Sequence, residues 1–251
     1  MTRTGRVRAE FVAATLAFLR RRTAVFFTFV FPLLIVVIFG VLVQTDAGGG
    51  GIFAEPPAWY VPGYLAVVVL FTPLSRVGSE VARHRTGNRF EKLATTPLQR
   101  WEWLLAQTLV NVVVIGLAAL VLLALILGLT GAAVPLAPAT LLVVPAVVLG
   151  VGLFCAVGAL LGSLADSQDG VIAASNAIAL PLLFLSETFV PTTMLPAWLP
   201  TWLSPLTYFS RGVRAVTTTG SGADPLVNLG VLAAVAVVLF AVGARALPRT
   251  D

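Results

Sequence analysis

Histidine, lysine and cysteine each occur once in this 251-residue chain, and charged residues make up only 11% of it against 58% hydrophobic. Each scarcity excludes a chemistry. A phosphate-binding P-loop, G-x-x-x-x-G-K-[ST], needs a lysine after glycine; Lys92 lies between Glu91 and Leu93, so the chain carries no such nucleotide site. With His84 the sole histidine and Cys155 the sole cysteine, multi-histidine zinc sites, H-E-x-x-H and intrachain disulfides are excluded. A Ser-His-Asp arrangement would have to use His84, which sits among arginines with no G-x-S-x-G nearby. His84 therefore reads as a solvated or phosphate-adjacent loop residue, and Cys155, inside an apolar run, as buried packing.

A mean hydropathy of +0.98 puts the chain in lipid. A spanning helix needs about 20 mostly apolar residues, and an ionised side chain at mid-bilayer is costly, so gaps between charges mark the crossings. They predict an all-α membrane protein with six transmembrane helices at residues 23–43, 59–75, 103–129, 139–164, 170–190 and 225–244. Glu102 to Asp166 is free of charge for about twice the length of one crossing; "TGAAVPLAP", with Gly131, Pro135 and Pro138, supplies the turn that divides it. Arginine and lysine accumulate on the cytoplasmic side. An inside N-terminus puts all of the 16 basic residues except Arg211 and Arg214 in the cytoplasm, and an even number of spans returns the C-terminus there.

Residues 1–22 hold six arginines with Val7, Phe11, Ala14 and Phe18 at helical spacing, the pattern of an amphipathic helix on the inner membrane surface. A signal peptide is the competing account, but the apolar run is long for an h-region and "QTDAGGGG" offers no clear small-x-small cleavage site. Among intramembrane carboxylates only Glu187 stands out, either as an interfacial residue whose head reaches water or as a pathway or gate residue. "GALLG", Gly158 to Gly162, is a G-x-x-x-G that lets helices approach closely. Residues 76–102, between the second and third spans, form a basic cytoplasmic loop. A short helix there would project charge and apolar side chains, Phe90 and Leu93 among them, toward a soluble partner; contact with anionic lipid head groups is the alternative.

Three stretches resemble permeases of the ABC transporter type-2 exporter family. "HRTGNRFEKLATTPL" is similar to that family's first cytoplasmic loop, with Gly87, Glu91, Leu93, Thr96, Pro97 and Leu98 in register; it departs at His84 and Thr86, where an acidic pair is common. "YVPGYLAVVVLF" is similar to the opening of the family's second helix through Pro62 and Gly63. "LPLLFLSETFVPTTMLPAWLPTWLSPLTYFSRGVRAV" is similar to the segment after the fifth, through Pro191, Leu195, Pro196, Trp198, Pro205, Leu206, Thr207, Tyr208 and Arg214; Glu187 stands where glycine is usual, and Ser204 where asparagine is common.

The resemblance implies a single permease domain over residues 1–251. Gly87, Phe90, Glu91, Lys92, Leu93, Thr96 and Pro97 would belong to a coupling helix that fits a cleft on a cytoplasmic ATP-binding subunit. Residues 191–224 would form an extracytoplasmic segment, within which Pro196 to Thr219 would form short re-entrant helices. It also implies no cofactor in this chain, with ATP and magnesium on the ATPase dimer, and a second permease copy or related chain. The chain itself would not be an enzyme; it would sit in the plasma membrane among lipids, with no nucleic-acid partner. Its cargo would be a drug, lipid or glycan-lipid. Three other classes compete: a non-transporting member that relays ATPase strokes, an ATP-independent carrier, and a membrane enzyme using Glu187 or Glu91, which the predicted topology puts on opposite sides.

Overall fold

In lipid a backbone must satisfy its own hydrogen bonds, which leaves helix or closed barrel, and the apolar runs here lack the strict alternation of a barrel strand. The computed structural model describes residues 2–42, 55–135 and 137–248; its regular elements are helical, and no strand occurs among the described residues.

Local chemistry starts several of the helices. The Thr2 hydroxyl accepts the Gly5 amide at 3.3 Å at the head of α1 (Arg3–Leu19). A capping box joins Gln99 and Glu102 at the head of α5 (Arg100–Leu129). Ser167 caps α7 (Gln168–Leu185), Pro205 opens α8 (Pro205–Thr217), and Asp224 caps α9 (Pro225–Ala246), its Oδ1 accepting from the Leu226 amide at 2.8 Å.

The hub is α3 (Val61–Thr86), buried continuously from Val61 to Leu70 and packed against α5, α6 (Val143–Leu164), α7 and α8. Its tightest contact is with α6, and small residues make it possible. A Cβ on Gly158 would lie 2.5 Å from the Leu74 carbonyl oxygen, one on Gly78 would lie 2.9 Å from the Gly158 carbonyl oxygen, and one on Gly162 would run into the Gly78 backbone. The Gly158 to Gly162 spacing thus brings two helices of the same chain into backbone contact.

Five helical segments among the described residues are long and apolar enough to cross a membrane: 57–86, 100–129, 138–164, 168–185 and 225–246. The first expected span, 23–43, falls on α2 (Arg22–Val36), which is apolar, 15 residues long and contains Pro32, and on π-helical turns over Val37–Leu42 that follow it. Residue 43 and the "QTDAGGGG" stretch from 44 to 51 lie outside the described residues.

The second span was expected to end at residue 75, yet α3 continues to Thr86, so residues 76–86 are helix and not loop. A charge marks where a helix leaves lipid only if the charge has no partner. Here Arg76 lies 4.4 Å over the Phe18 ring and donates to the Asn111 Oδ1 at 3.1 Å, and Glu80 pairs with Arg83 on the next turn. The fifth span stops at Leu185 rather than at 190, because Glu187 takes φ +57, outside helical space. The third, fourth and sixth differ by a few residues: α5 begins at Arg100, a 3₁₀ turn over Pro138–Leu142 precedes α6, and α9 runs to Ala246.

Candidate functional site

Two clusters lie at opposite ends of α3, whose 26 residues span about 39 Å at ~1.5 Å per residue. At its C-terminal end, Gly87 caps the helix, its amide donating to the Arg83 carbonyl at 3.0 Å, and Asn88 turns the chain with φ +50. The six-residue α4 (Arg89–Ala94) follows. Too short to hold itself as a helix in water, it is held by one side chain. Phe90 is 8% exposed and forms a three-ring cluster, with centroids 5.3 Å from His84 and 5.4 Å from Trp103.

Two expectations are corrected here. Phe90 does not project toward a partner but anchors α4, because an aromatic ring beside Trp103 leaves water. His84 is neither solvated nor placed for phosphate: it is buried, with Nδ1 2.8 Å from the Glu80 carbonyl. What α4 presents outward is Glu91 and Lys92, followed by Thr95, Thr96 and Pro97, all exposed, with Leu93 half-buried beneath. The Thr95 and Thr96 hydroxyls donate back to the Lys92 and Leu93 carbonyls at 2.8 and 2.6 Å, which tightens the turn that Pro97 ends.

Neighbouring arginines act as staples. Arg85 Nη1 donates to the Ser163 and Ala165 carbonyls, both at 2.9 Å, closing the end of α6, and Arg100 Nη1 donates to the Leu247 carbonyl at 2.7 Å beyond the end of α9. Arg6 forks onto the fully buried Glu102, Nε to Oε2 at 2.9 Å and Nη2 to Oε1 at 2.5 Å, while Glu102 Oε2 also accepts the Gln99 amide at 2.9 Å. The N-terminal helix is therefore tied to the residues where the α4 segment rejoins the bundle. Beside them opens a cavity of about 730 Å³, lined by Phe90, Leu93, Leu98, Trp101, Phe240 and Arg245 among others.

At the other end, residues 186–204 wind through bends and two 3₁₀ turns, Thr192–Met194 and Thr201–Leu203, before Pro205 starts α8. Glu187 does not reach water: its side chain is 5% exposed. Arg211 forks onto it, Nε to Oε2 at 2.8 Å and Nη2 to Oε1 at 2.6 Å, and the Thr201 hydroxyl donates at 2.8 Å. Burial pulls the Glu187 carboxyl toward protonation, but Arg211 and Thr201 outweigh it and hold the group below the usual carboxylate value. The φ of +57 is a conformation glycine adopts freely, which gives physical sense to the glycine usual at this position in the resembled family; the ion pair and hydrogen bonds offset the strain for glutamate.

Arg214 crosses beneath this bend. It is 8% exposed, with its guanidinium 3.8 Å over the Trp59 ring, and Nη2 donates to the Glu187 carbonyl at 2.8 Å. Burial lowers its pKa to about 10, so it stays charged at neutral pH. Glu187, Pro191, Tyr208 and Arg214 border one cavity of about 620 Å³ together with Glu55, Trp59 and Arg211. Pro196 and Trp198 do not join it; both are exposed, Trp198 at 79%. Pro205 serves as the first residue of α8. Sequence reasoning missed Trp59 and Arg211. Arg211, three residues before Arg214 and so on the same helical face, carried the one available signal.

A helical bundle with five helices long and apolar enough to cross a membrane, a short polar helix at one end and charged groups buried at the other has the build of an integral membrane protein. Residues 7–217 match the family model described as ABC-2 type transporter, and the chain belongs to that family. A comparison with curated proteins finds no match. The chain is thus the membrane component of a transporter.

Proposed function

We propose that this chain is the permease subunit of an ATP-binding cassette exporter that moves a hydrophobic or amphipathic substrate of the drug, lipid or glycan-lipid class across the cell membrane. Six crossings, with α2 and its π-helical extension as the first, put both termini and α4 in the cytoplasm. A separate ATPase dimer carries ATP and magnesium and docks on α4 of each of two permease copies. Residues 191–224 then lie at the outer face, where the exposed Trp198 and Trp202 suit the membrane interface.

The observation that carries this reading is the construction of α4: a short helix rooted by Phe90, with Glu91 and Lys92 presented to solvent. A rooted polar projection transmits force in both directions. The arginine staples to α6 and α9 and the Arg6 fork to Glu102 would carry an ATPase stroke into several helices at once. The apolar side chains that α2 and α7 leave exposed, among them Phe27, Phe31, Leu180 and Phe184, supply surface for lipid and for the second copy.

The test is co-purification of a candidate ABC ATPase subunit with this chain, comparing wild type with Glu91→Arg at matched expression. Glu91 is exposed, so the variant keeps the fold. Retention with wild type and loss with the variant is the expected outcome. Equal retention, or none with a folded and abundant wild type, would overturn the docking role of α4.

A further inference from the structure

The cavity between Trp59, Arg211 and Arg214 contains a buried cation whose charge no carboxylate meets directly. Buried charges in proteins are ordinarily paired. Arg214 spends Nε on the Trp59 carbonyl at 3.3 Å, Nη2 on the Glu187 and Thr188 carbonyls at 2.8 and 3.3 Å, and its flat face on the Trp59 ring. These partners are neutral. Two carboxylates act on it only through space: Glu187, already forked by Arg211 and bonded by Thr201, and Glu55 on the cavity wall. No described residue accepts a hydrogen bond from Nη1 of Arg214 or from Nη1 of Arg211, and both side chains line the same cavity, with Tyr208, Thr192 and Asn228 on its wall.

We propose that this cavity is a binding site for a phosphoryl group, in which Arg211 and Arg214 supply the charge and Glu187 acts as a resident competing anion. Arginine forks match the geometry of phosphate oxygens. The two arginines lie three residues apart on α8, so their guanidinium groups share one face. Trp59 holds the Arg214 plane, and the Glu187 bend fixes the Arg211 plane, so the donors are ordered before a ligand arrives. The incoming phosphate shares or displaces the Glu187 carboxylate at Arg211, which keeps the affinity modest and the release fast. The cavity measures about 620 Å³, within the usual range for small-molecule sites and enough for a head group. The proposal concerns binding and is independent of whether the chain couples to an ATPase.

The experiment measures equilibrium binding to the full chain in a neutral detergent, with two probes: inorganic phosphate and monomeric dihexanoyl phosphatidylglycerol. Octyl glucoside serves as a phosphate-free amphiphile. The proposal expects at least one phosphate-bearing probe to bind saturably, with Arg211→Gln weakening it about tenfold or more, the size of one lost charge-assisted hydrogen bond. Glu187→Gln should tighten it several-fold by removing the competing charge. That gain separates a ligand site from a purely structural role, since a variant that only loosened the bend would bind less tightly. Binding of the lipid without phosphate identifies a head-group site; equal binding of phosphate alone identifies a free-anion site. If Arg211→Gln does not fold, Glu187→Gln alone decides the sign. Absence of binding, binding unchanged or weakened by Glu187→Gln, or equal binding of octyl glucoside would each overturn the proposal.

Discussion

Replacing Phe90 with alanine should release α4 while leaving the membrane bundle folded. A phenylalanine side chain carries about 150 Å² or more of apolar surface, and at 8% exposure nearly all of it is buried here. At ~25 cal/mol per Å² the burial is worth about 4 kcal/mol. Alanine keeps part of that area, and an undocked segment still covers some surface, so the net cost of docking rises by about 2–3 kcal/mol. The population of undocked α4 should therefore increase roughly 30- to 140-fold. Hydrogen exchange reads this directly, because the Lys92, Thr95 and Thr96 amides bond only within residues 88–96. Their protection should fall by that factor, while amides in the buried stretch Val61 to Leu70 keep theirs. Unchanged exchange in 89–96 would refute the anchoring role. A drop shared by the whole bundle would refute its local character.

Gly158→Leu should destabilise the bundle by about 2 kcal/mol or more, since a side chain there meets the Leu74 and Pro73 carbonyls with no flexible neighbour to yield; a thermal midpoint in detergent within error of wild type would count against direct α3–α6 backbone contact. Glu187 has a folded pKa below its ordinary value of 4.5, so its contribution to holding the 186–204 segment is full above that value and is lost as pH falls through the lower one. Limited proteolysis of that segment should rise in wild type on acidification through and below the ordinary carboxylate range, and Glu187→Gln, whose amide oxygen can still accept from Thr201 and Arg211 but cannot titrate, should lack that acid response; the same acid response in both would exclude Glu187 as the cause. Arg85→Gln should increase hydrogen exchange at residues 163–166, where three carbonyls lose their shared donor; an unchanged rate would show that water replaces the guanidinium.

Much of this architecture was legible because lipid imposes a simple rule on sequence. Charge-free runs of about 20 residues are needed to cross, and five of the six expected runs correspond to long apolar helices. Turn chemistry at Gly131 and Pro138 was local and equally readable. The misplaced end of the second helix has one cause. Arg76, Glu80 and His84 were read as loop residues because they are polar, yet each is satisfied by a partner distant in sequence or one helical turn away, and a satisfied polar group does not end a helix.

The sequence by itself determined that the chain is helical and membrane-embedded and that a polar segment follows the second apolar run, since composition and spacing are properties of the chain alone. Tertiary structure alone decided what each polar residue does. Phe90 became an anchor instead of a contact, and Arg85 and Arg100 became helix caps instead of surface charge. Glu187 became half of a buried ion pair with Arg211, and Arg214 a buried cation held by backbone carbonyls and the Trp59 ring. Burial and pairing are relations between residues far apart along the chain, such as Trp59 and Arg214, and no local pattern encodes them.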